Sequence, residues 1–366
     1  MEPFAPITRT RLQEILDKIK TVRAAIFGDL CIDVYWDVDM RMSELSRETP
    51  HFAMPVVKER ISLGGGGNVA ANLAALAPKQ VLAGGLIGND WRGHELTSIM
   101  TSLDIDSSNI VRGEGLITNA FCKPMRRGIS DTVYEDPRLD FANVTPFGPD
   151  IEDAMIKDLD TLAARADILC ICDQLPTNVY GAITEKVRQH LHKLAADGLT
   201  IVVDSRDKIG MYKNMILKPN EVEATRAVEI ATENGLDEQI RLQSYQQGQP
   251  VSLLQKHANA AMALSSMNNT DVIMTIGPEG ALYAHKGEVT HIPAFAVRGD
   301  IDIVGAGDSF ISGFSLASAA GASPPEAAFF AGLCSGVTIQ KIGTTGTASA
   351  EEVLGWYDTN MSAAQK

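Results

Sequence analysis

Six short apolar runs rich in β-branched residues, at 24–27, 81–87, 168–172, 200–203, 215–217 and 272–276, alternate with longer segments of helical spacing such as 177–196 and 251–266. Strands that are apolar on both faces must be covered on both faces, and parallel neighbours need crossover helices to connect them. The expected fold is therefore α/β, with a mainly parallel central sheet between two helical layers. Two stretches break the rhythm, 34–61 and 111–141, where charged residues, Gly and Pro mix with short β-like runs. They are expected to form a small β lid, leaving 1–33, 62–110 and 142–366 as the core. The Gln-rich stretch 233–250 reads as a surface insertion.

A chain of 366 residues, 45% hydrophobic and 21% charged, can bury a large core. It has no apolar run of the roughly 18–20 residues that a membrane span needs and no signal-peptide core at its start, so a cytoplasmic protein without a membrane partner is expected. Cys31, Cys122, Cys170, Cys172 and Cys334 are scattered and are read as reduced structural residues. A net charge of −14 without a sustained basic face argues against a nucleic-acid partner, and an anionic substrate would need a local basic pocket.

The segment Asp302-Ile303-Val304-Gly305-Ala306-Gly307-Asp308 runs directly into an apolar helical stretch. Glycines before a helix leave its first N–H groups uncovered, and the helix dipole adds positive potential, which makes an anion hole. An aspartate at its mouth can take a proton from a hydroxyl while the hole stabilises a phosphoryl group in transfer. Taken alone, the same loop is also readable as a turn with Asp308 as a helix cap. A second glycine run, Gly64 to Gly67, precedes Asn68 and another helix; it permits close backbone approach, and Asn68 can donate to and accept from a hydroxyl. Gly28-Asp29 and Asp33 end the first strand, where ligands gather in open α/β sheets, and a carboxylate there can hold two sugar hydroxyls.

These elements, together with Asn220-Glu221-Val222-Glu223 and Thr275-Ile276-Gly277-Pro278-Glu279-Gly280, occur in the order seen in ribokinase-like (PfkB) sugar kinases, and the resemblance covers about residues 10 to 355. It implies a ribokinase-like three-layer fold and an ATP- and Mg2+-dependent kinase acting on a small sugar or sugar phosphate. Asp308 is then the catalytic base, and Gly305, Ala306 and Gly307 form the anion hole. Asn220 and Glu223 serve the Mg-ATP phosphates, with Glu223 acting on the metal indirectly, and Thr275, Gly277 and Gly280 lie along the nucleotide. Asp33, Gly64, Gly65 and Asn68 are implied in substrate binding. Asp302, with carbonyls near Val304 and Gly343, matches a monovalent-cation site suited to K+. A homodimer through the lid is also expected.

Within this family the chain looks most like kinases that phosphorylate a heptose 7-phosphate at its anomeric hydroxyl, on Asp33-Val34-Tyr35-Trp36, Pro55-Val56-Val57, Arg138-Leu139-Asp140-Phe141 and Lys341-Ile342-Gly343-Thr344. Lys123, Arg126, Arg127 and Arg138 could bind an existing phosphate, with Arg126 and Arg138 as the named candidates. The chain departs from that pattern at 43–54, at Ser205-Arg206-Asp207, and at Gly332, where many relatives carry Asn near the adenine. No nucleotidyltransferase domain follows residue 366, so a fused bifunctional enzyme is not expected. The alternatives are a kinase for another sugar or a nucleoside, or a non-catalytic ligand-binding homologue. A dinucleotide oxidoreductase is disfavoured because the first strand-turn-helix lacks the Gly-x-Gly-x-x-Gly spacing.

Overall fold

The computed structural model describes residues 3–130, 132–176, 179–233 and 252–364. Nearly all of the Gln-rich 233–250 stretch lies outside them. Among these residues a nine-stranded sheet runs in the order β14-β13-β12-β11-β10-β9-β1-β4-β5. Its strands are β1 (Arg23–Gly28), β4 (Gln80–Gly88), β5 (Ile105–Gly113), β9 (Ile168–Asp173), β10 (Ile201–Ser205), β11 (Ile216–Leu217), β12 (Val272–Thr275), β13 (Ala281–His285) and β14 (Glu288–Ile292). Pairing is parallel from β5 to β12 and antiparallel for β13 and β14.

Period-two alternation explains the two covering layers. Ala24, Ile26, Ile168, Cys170 and Cys172 face one core, with α1 (Arg9–Ile19), α2 (Gly66–Ala75), α8 (Ala306–Ala319), α9 (Pro324–Thr338) and α10 (Ala350–Ala364). Ala25, Phe27, Leu169 and Ile171 face the other, with α4 (Pro149–Arg165), α5 (Glu185–Ala196), α6 (Glu221–Glu233) and α7 (Leu253–Asn268). The result is a three-layer αβα fold. The Cys170-Ile171-Cys172 run belongs to this alternation, and all five cysteines are free and buried. Helix α3 (Trp91–Ser102) adds Leu96 and Met100 to the first core. Where the spacing predicts a helix over 177–196, α5 begins at Glu185, because the Thr184 hydroxyl caps it by accepting from the Val187 N–H. No helix among the described residues is long and apolar enough to cross a membrane.

A second sheet holds β2 (Leu30–Asp39), β3 (Val56–Gly65), β6 (Asn119–Arg127), β7 (Val133–Glu135) and β8 (Leu139–Phe141), with β2 paired antiparallel to β3 and parallel to β6. It takes in residues 30–33 and 62–65, while 111–113 complete core strand β5. Asp29 alone separates β1 from β2. Gly28 reaches φ 148°, and a Cβ there would lie 2.1 Å from the Cys172 carbonyl oxygen, so only glycine makes this turn beside β9. The cavity described next lies between the two sheets, at the C-terminal ends of the parallel strands, where open α/β sheets bind ligands.

Candidate active site

One cavity of about 960 Å³ collects most of the residues singled out above. At its centre is the N-terminus of α8. Gly305 is the N-cap at φ 82°, a left-handed conformation that a side chain would strain. The Ala306 N–H donates to the Ile303 carbonyl (3.2 Å), so of the expected anion-hole residues this amide is already engaged. The Gly307 and Asp308 amides that follow sit in the first helical turn, where no carbonyl four residues back closes a bond. A Cβ on Gly307 would lie 3.6 Å from Lys218 Nζ, so a buried ammonium faces the same spot.

Asp308 is the group these donors surround. Burial pushes its carboxyl up to about 7; the Asn68 side chain, donating to Oδ2 at 2.7 Å, and Lys218 oppose that rise, while Asp204 and Asp33 add to it. A carboxylate poised near neutrality beside amide and ammonium donors suits proton abstraction from a hydroxyl. Lys218 pairs with Asp204 at 3.0 Å; burial alone would lower its amine, and Asp204 and Glu223 reverse that and leave it raised. Neither Lys218 nor Asp204 was assigned a role from sequence. The signals are local: Asp204 is the next-to-last residue of β10, at the ligand-binding edge, and Lys218 stands two residues before Asn220.

Asn220 and Glu223 form a reciprocal capping box at the start of α6. The Asn220 Oδ1 accepts from the Val222 and Glu223 N–H groups (2.9 Å each), and Glu223 Oε2 accepts from the Asn220 N–H (2.8 Å). The box aims the Glu223 carboxyl at Asp204; burial first, then Asp204, holds it above the usual carboxylate range. Asn220 also bridges to Thr275, and the Gly277–Gly280 turn closes with the Ile276 N–H on the Gly280 carbonyl, so these expected nucleotide residues share one wall.

The opposite end of the cavity is polar. Asp33 is buried and meets Lys123 Nζ at 3.2 Å, and that ammonium also reaches the Tyr35 hydroxyl at 3.0 Å; burial raises the Asp33 carboxyl despite the cation. A Cβ at Gly64 would lie 2.8 Å from Asp33 Oδ1, which shows how closely the glycine run approaches that carboxylate. Arg138 lies on this wall, bidentate to Asp140 (2.6 and 2.7 Å) and 4.4 Å above the Phe121 ring. Arg126 does not line the cavity. Asn119, Phe121 and Lys123 alternate inward along β6, which puts residue 126 on the other face, where its Nε meets both Asp136 oxygens. Asn68 is also absent from the wall: it is buried behind Asp308, with its amide nitrogen on Asp308 and its oxygen facing Asn72. Asp29 is consumed in the same way, accepting from the Gln174, Leu175 and Ala182 N–H groups.

Asp204 and Glu223 both line the cavity beside the anion hole, and a pair of carboxylates fits Mg2+, which takes one or two carboxylates and completes its shell with phosphate and water oxygens. The monovalent-cation site does not fit in the same way. Both Asp302 oxygens accept backbone N–H groups, from Val304 (3.1 Å) and Gly343 (2.9 Å), and the Gly343 carbonyl accepts from the Arg60 guanidinium (3.0 Å).

The chain resembles proteins of known kind along nearly its whole length. It is 28% identical over 357 residues to a "Bifunctional protein HldE" of Geotalea uraniireducens, covering 94% of this chain and 65% of that protein. It is 30% identical over 359 residues to the HldE protein of Citrifermentans bemidjiense, again covering 94% and 65%. The chain thus spans about 65% of the length of these curated relatives. Among solved structures it superimposes on Escherichia coli phosphofructokinase-2 in complex with fructose-6-phosphate (TM-score 0.68, 18% identity, 93% of this chain and 100% of that one). It also superimposes on Arabidopsis thaliana ribokinase complexed with ribose and ATP (TM-score 0.65, 17% identity, 92% and 98%). The model of the pfkB family carbohydrate kinases matches residues 23–351, most of the chain, and this chain belongs to that family.

Proposed function

We propose that this kinase phosphorylates a hydroxyl of a sugar that already carries a phosphate, of the heptose 7-phosphate class, with Asp308 as general base. The carrying observation is the division of one cavity: Asp308, Lys218 and the start of α8 at its centre, Asp33 with Lys123 and Arg138 at its polar end. In this reading Asp33 orients sugar hydroxyls and Arg138 meets the distal phosphate. As the acceptor oxygen bonds to the γ-phosphorus and the bond to the leaving ADP oxygen breaks, the hydroxyl proton passes to an Asp308 oxygen. The Gly307 and Asp308 amides and Lys218 meet the charge spread over the phosphoryl oxygens. Mg2+, held by Asp204 and Glu223 around the nucleotide phosphates, would supply further charge neutralisation.

Thr275, Gly277 and Gly280 flank the nucleotide, the second sheet acts as the lid, and the enzyme works in the cytoplasm. Val56, Val57, Val133, Tyr134 and Leu139, exposed on the second sheet, support a homodimer formed through it. A neutral sugar or nucleoside is the second reading, favoured by one observation: both cavity cations near Asp33 already have carboxylate partners. An ADP-release screen over the heptose 7-phosphate, fructose 6-phosphate, ribose and nucleosides separates the two, since a clear preference for an unphosphorylated acceptor removes the first.

A further inference from the structure

Behind the base lies a second amide that the reaction as described does not use. Asn72, one turn after Asn68 on α2, is buried, and its Nδ2 donates to the Asn68 carbonyl (2.9 Å) and towards Asn68 Oδ1 (3.3 Å). Its own Oδ1 is buried without a hydrogen-bond partner among the described residues. A buried, unsatisfied carbonyl costs stability, and leucine, with the same γ-branched skeleton and no polar atoms, would avoid that cost. The side chain is therefore poorly explained by packing and well explained by its N–H groups.

Those groups decide which way the Asn68 amide points. With its oxygen facing the Asn72 N–H, Asn68 must turn its NH2 to Asp308, and a carboxylate that can only accept is satisfied by it. In the flipped orientation two NH2 groups would oppose each other and an oxygen would face the carboxylate, an arrangement that favours only protonated Asp308. We infer that Asn72 is a positioning residue, locking the Asn68 amide as a donor so that Asp308 is kept ready to accept the substrate's proton. This rests on the reading of Asp308 as the base. The other charged groups that bear on Asp308 are Asp204, Asp33 and Lys218, from β10, β2 and the end of β11; they are untouched by a change at 72, and the neighbouring Cys31 and Cys172 thiols are raised by burial and stay neutral.

The test is the pH profile of kcat/KM in Asn72→Leu. The acid limb moves up by about one pH unit, giving roughly tenfold loss near pH 6 and near-wild-type turnover at pH 9, while Tm is unchanged or higher. Asn72→Asp, which can only accept from Asn68, moves the limb at least as far. A uniform loss at all pH values, as a packing defect would give, overturns the proposal, and so does an unmoved profile. The carboxyl carbon of Asp308, assigned by its loss in Asp308→Asn and titrated by NMR without substrate, gives a readout independent of the reaction. Equal titration in wild type and Asn72→Leu refutes the role of Asn72 whatever the chain phosphorylates, whereas retained turnover in Asp308→Asn refutes the base itself.

Discussion

Replacing Asp308 by Asn should make this protein a worse enzyme and a more stable one. The carboxyl sits at about 7 in the folded chain against 3.8 for an unburdened aspartate. The sign follows from linkage: with the folded value raised, the native state is penalised progressively as pH rises from about 4 to 7, and the full penalty persists above that. About three pH units at ~1.4 kcal/mol each give roughly 4 kcal/mol at pH 8, shrinking below about 1 kcal/mol at pH 4. An asparagine keeps the shape and still accepts from Asn68, so most of that penalty is relieved. For a chain of this length, about 2 cal/mol/K of unfolding entropy per residue converts it to a rise of roughly 5 °C in Tm at pH 8. The assay is paired thermal melts of both proteins at pH 4, 6 and 8 in constant ionic strength, alongside sugar-dependent ADP release, which should fall by about 10²- to 10⁴-fold. A stability difference that is the same at pH 4 and pH 8, or a variant that melts lower at pH 8, refutes the buried-base argument, and near-wild-type turnover refutes the chemical role.

Lys218→Met leaves the buried Asp204 carboxylate unpaired, so it should cost about 3–5 kcal/mol by denaturant unfolding and raise the KM for ATP; adding Asp204→Leu should recover stability but not turnover, and recovery of both would make the pair purely structural. Glu223→Gln keeps the capping box, since the amide oxygen still accepts from the Asn220 N–H, yet should raise the Mg2+ needed for half-maximal rate; an unchanged Mg2+ titration reduces Glu223 to a cap. Arg138→Ala should raise the KM for a phosphorylated acceptor roughly fivefold, a modest value because the guanidinium is half-exposed and screened, while Arg126→Ala stays within about twofold. Equal effects of the two substitutions would sink the assignment of the polar end.

The sequence made the layers legible because burial on both faces leaves a local imprint. Runs such as Ile168–Cys172 have no polar alternation to hide them, and Gly305 before an apolar helix announces its own geometry. What stayed hidden were relations across strands. Lys218 and Asp204 meet only because β11 lies beside β10, and nothing local to either residue records that adjacency. Asn68 reads as a hydroxyl ligand on its own; its amide is spoken for only once α8 brings Asp308 against it and the helix turn brings Asn72 beneath it. Asp29, placed at the ligand edge by the strand rule, instead anchors the loop before α5 through three backbone amides. Arg126 was a matter of parity along β6, decipherable in principle once Lys123 is known to face inward.

The second sheet is threaded into the core by two excursions of the chain, and each closes at its neck. Residues 30–65 leave and re-enter at one place, where the Gly66 N–H donates to the Asp29 carbonyl at 2.8 Å and Leu30 pairs with Gly65. Residues 119–141 are gathered similarly by the Asn119 side chain, which accepts from the Asn143 N–H at 3.1 Å. Each segment is thus a cassette whose ends stay together whatever lies between them. Grafting both cassettes from a relative with another acceptor would exchange the polar end of the cavity while leaving α8, Lys218 and the Asn220–Glu223 box in place, so acceptor choice can drift, in the laboratory or over evolutionary time, without rebuilding the apparatus that moves the phosphoryl group.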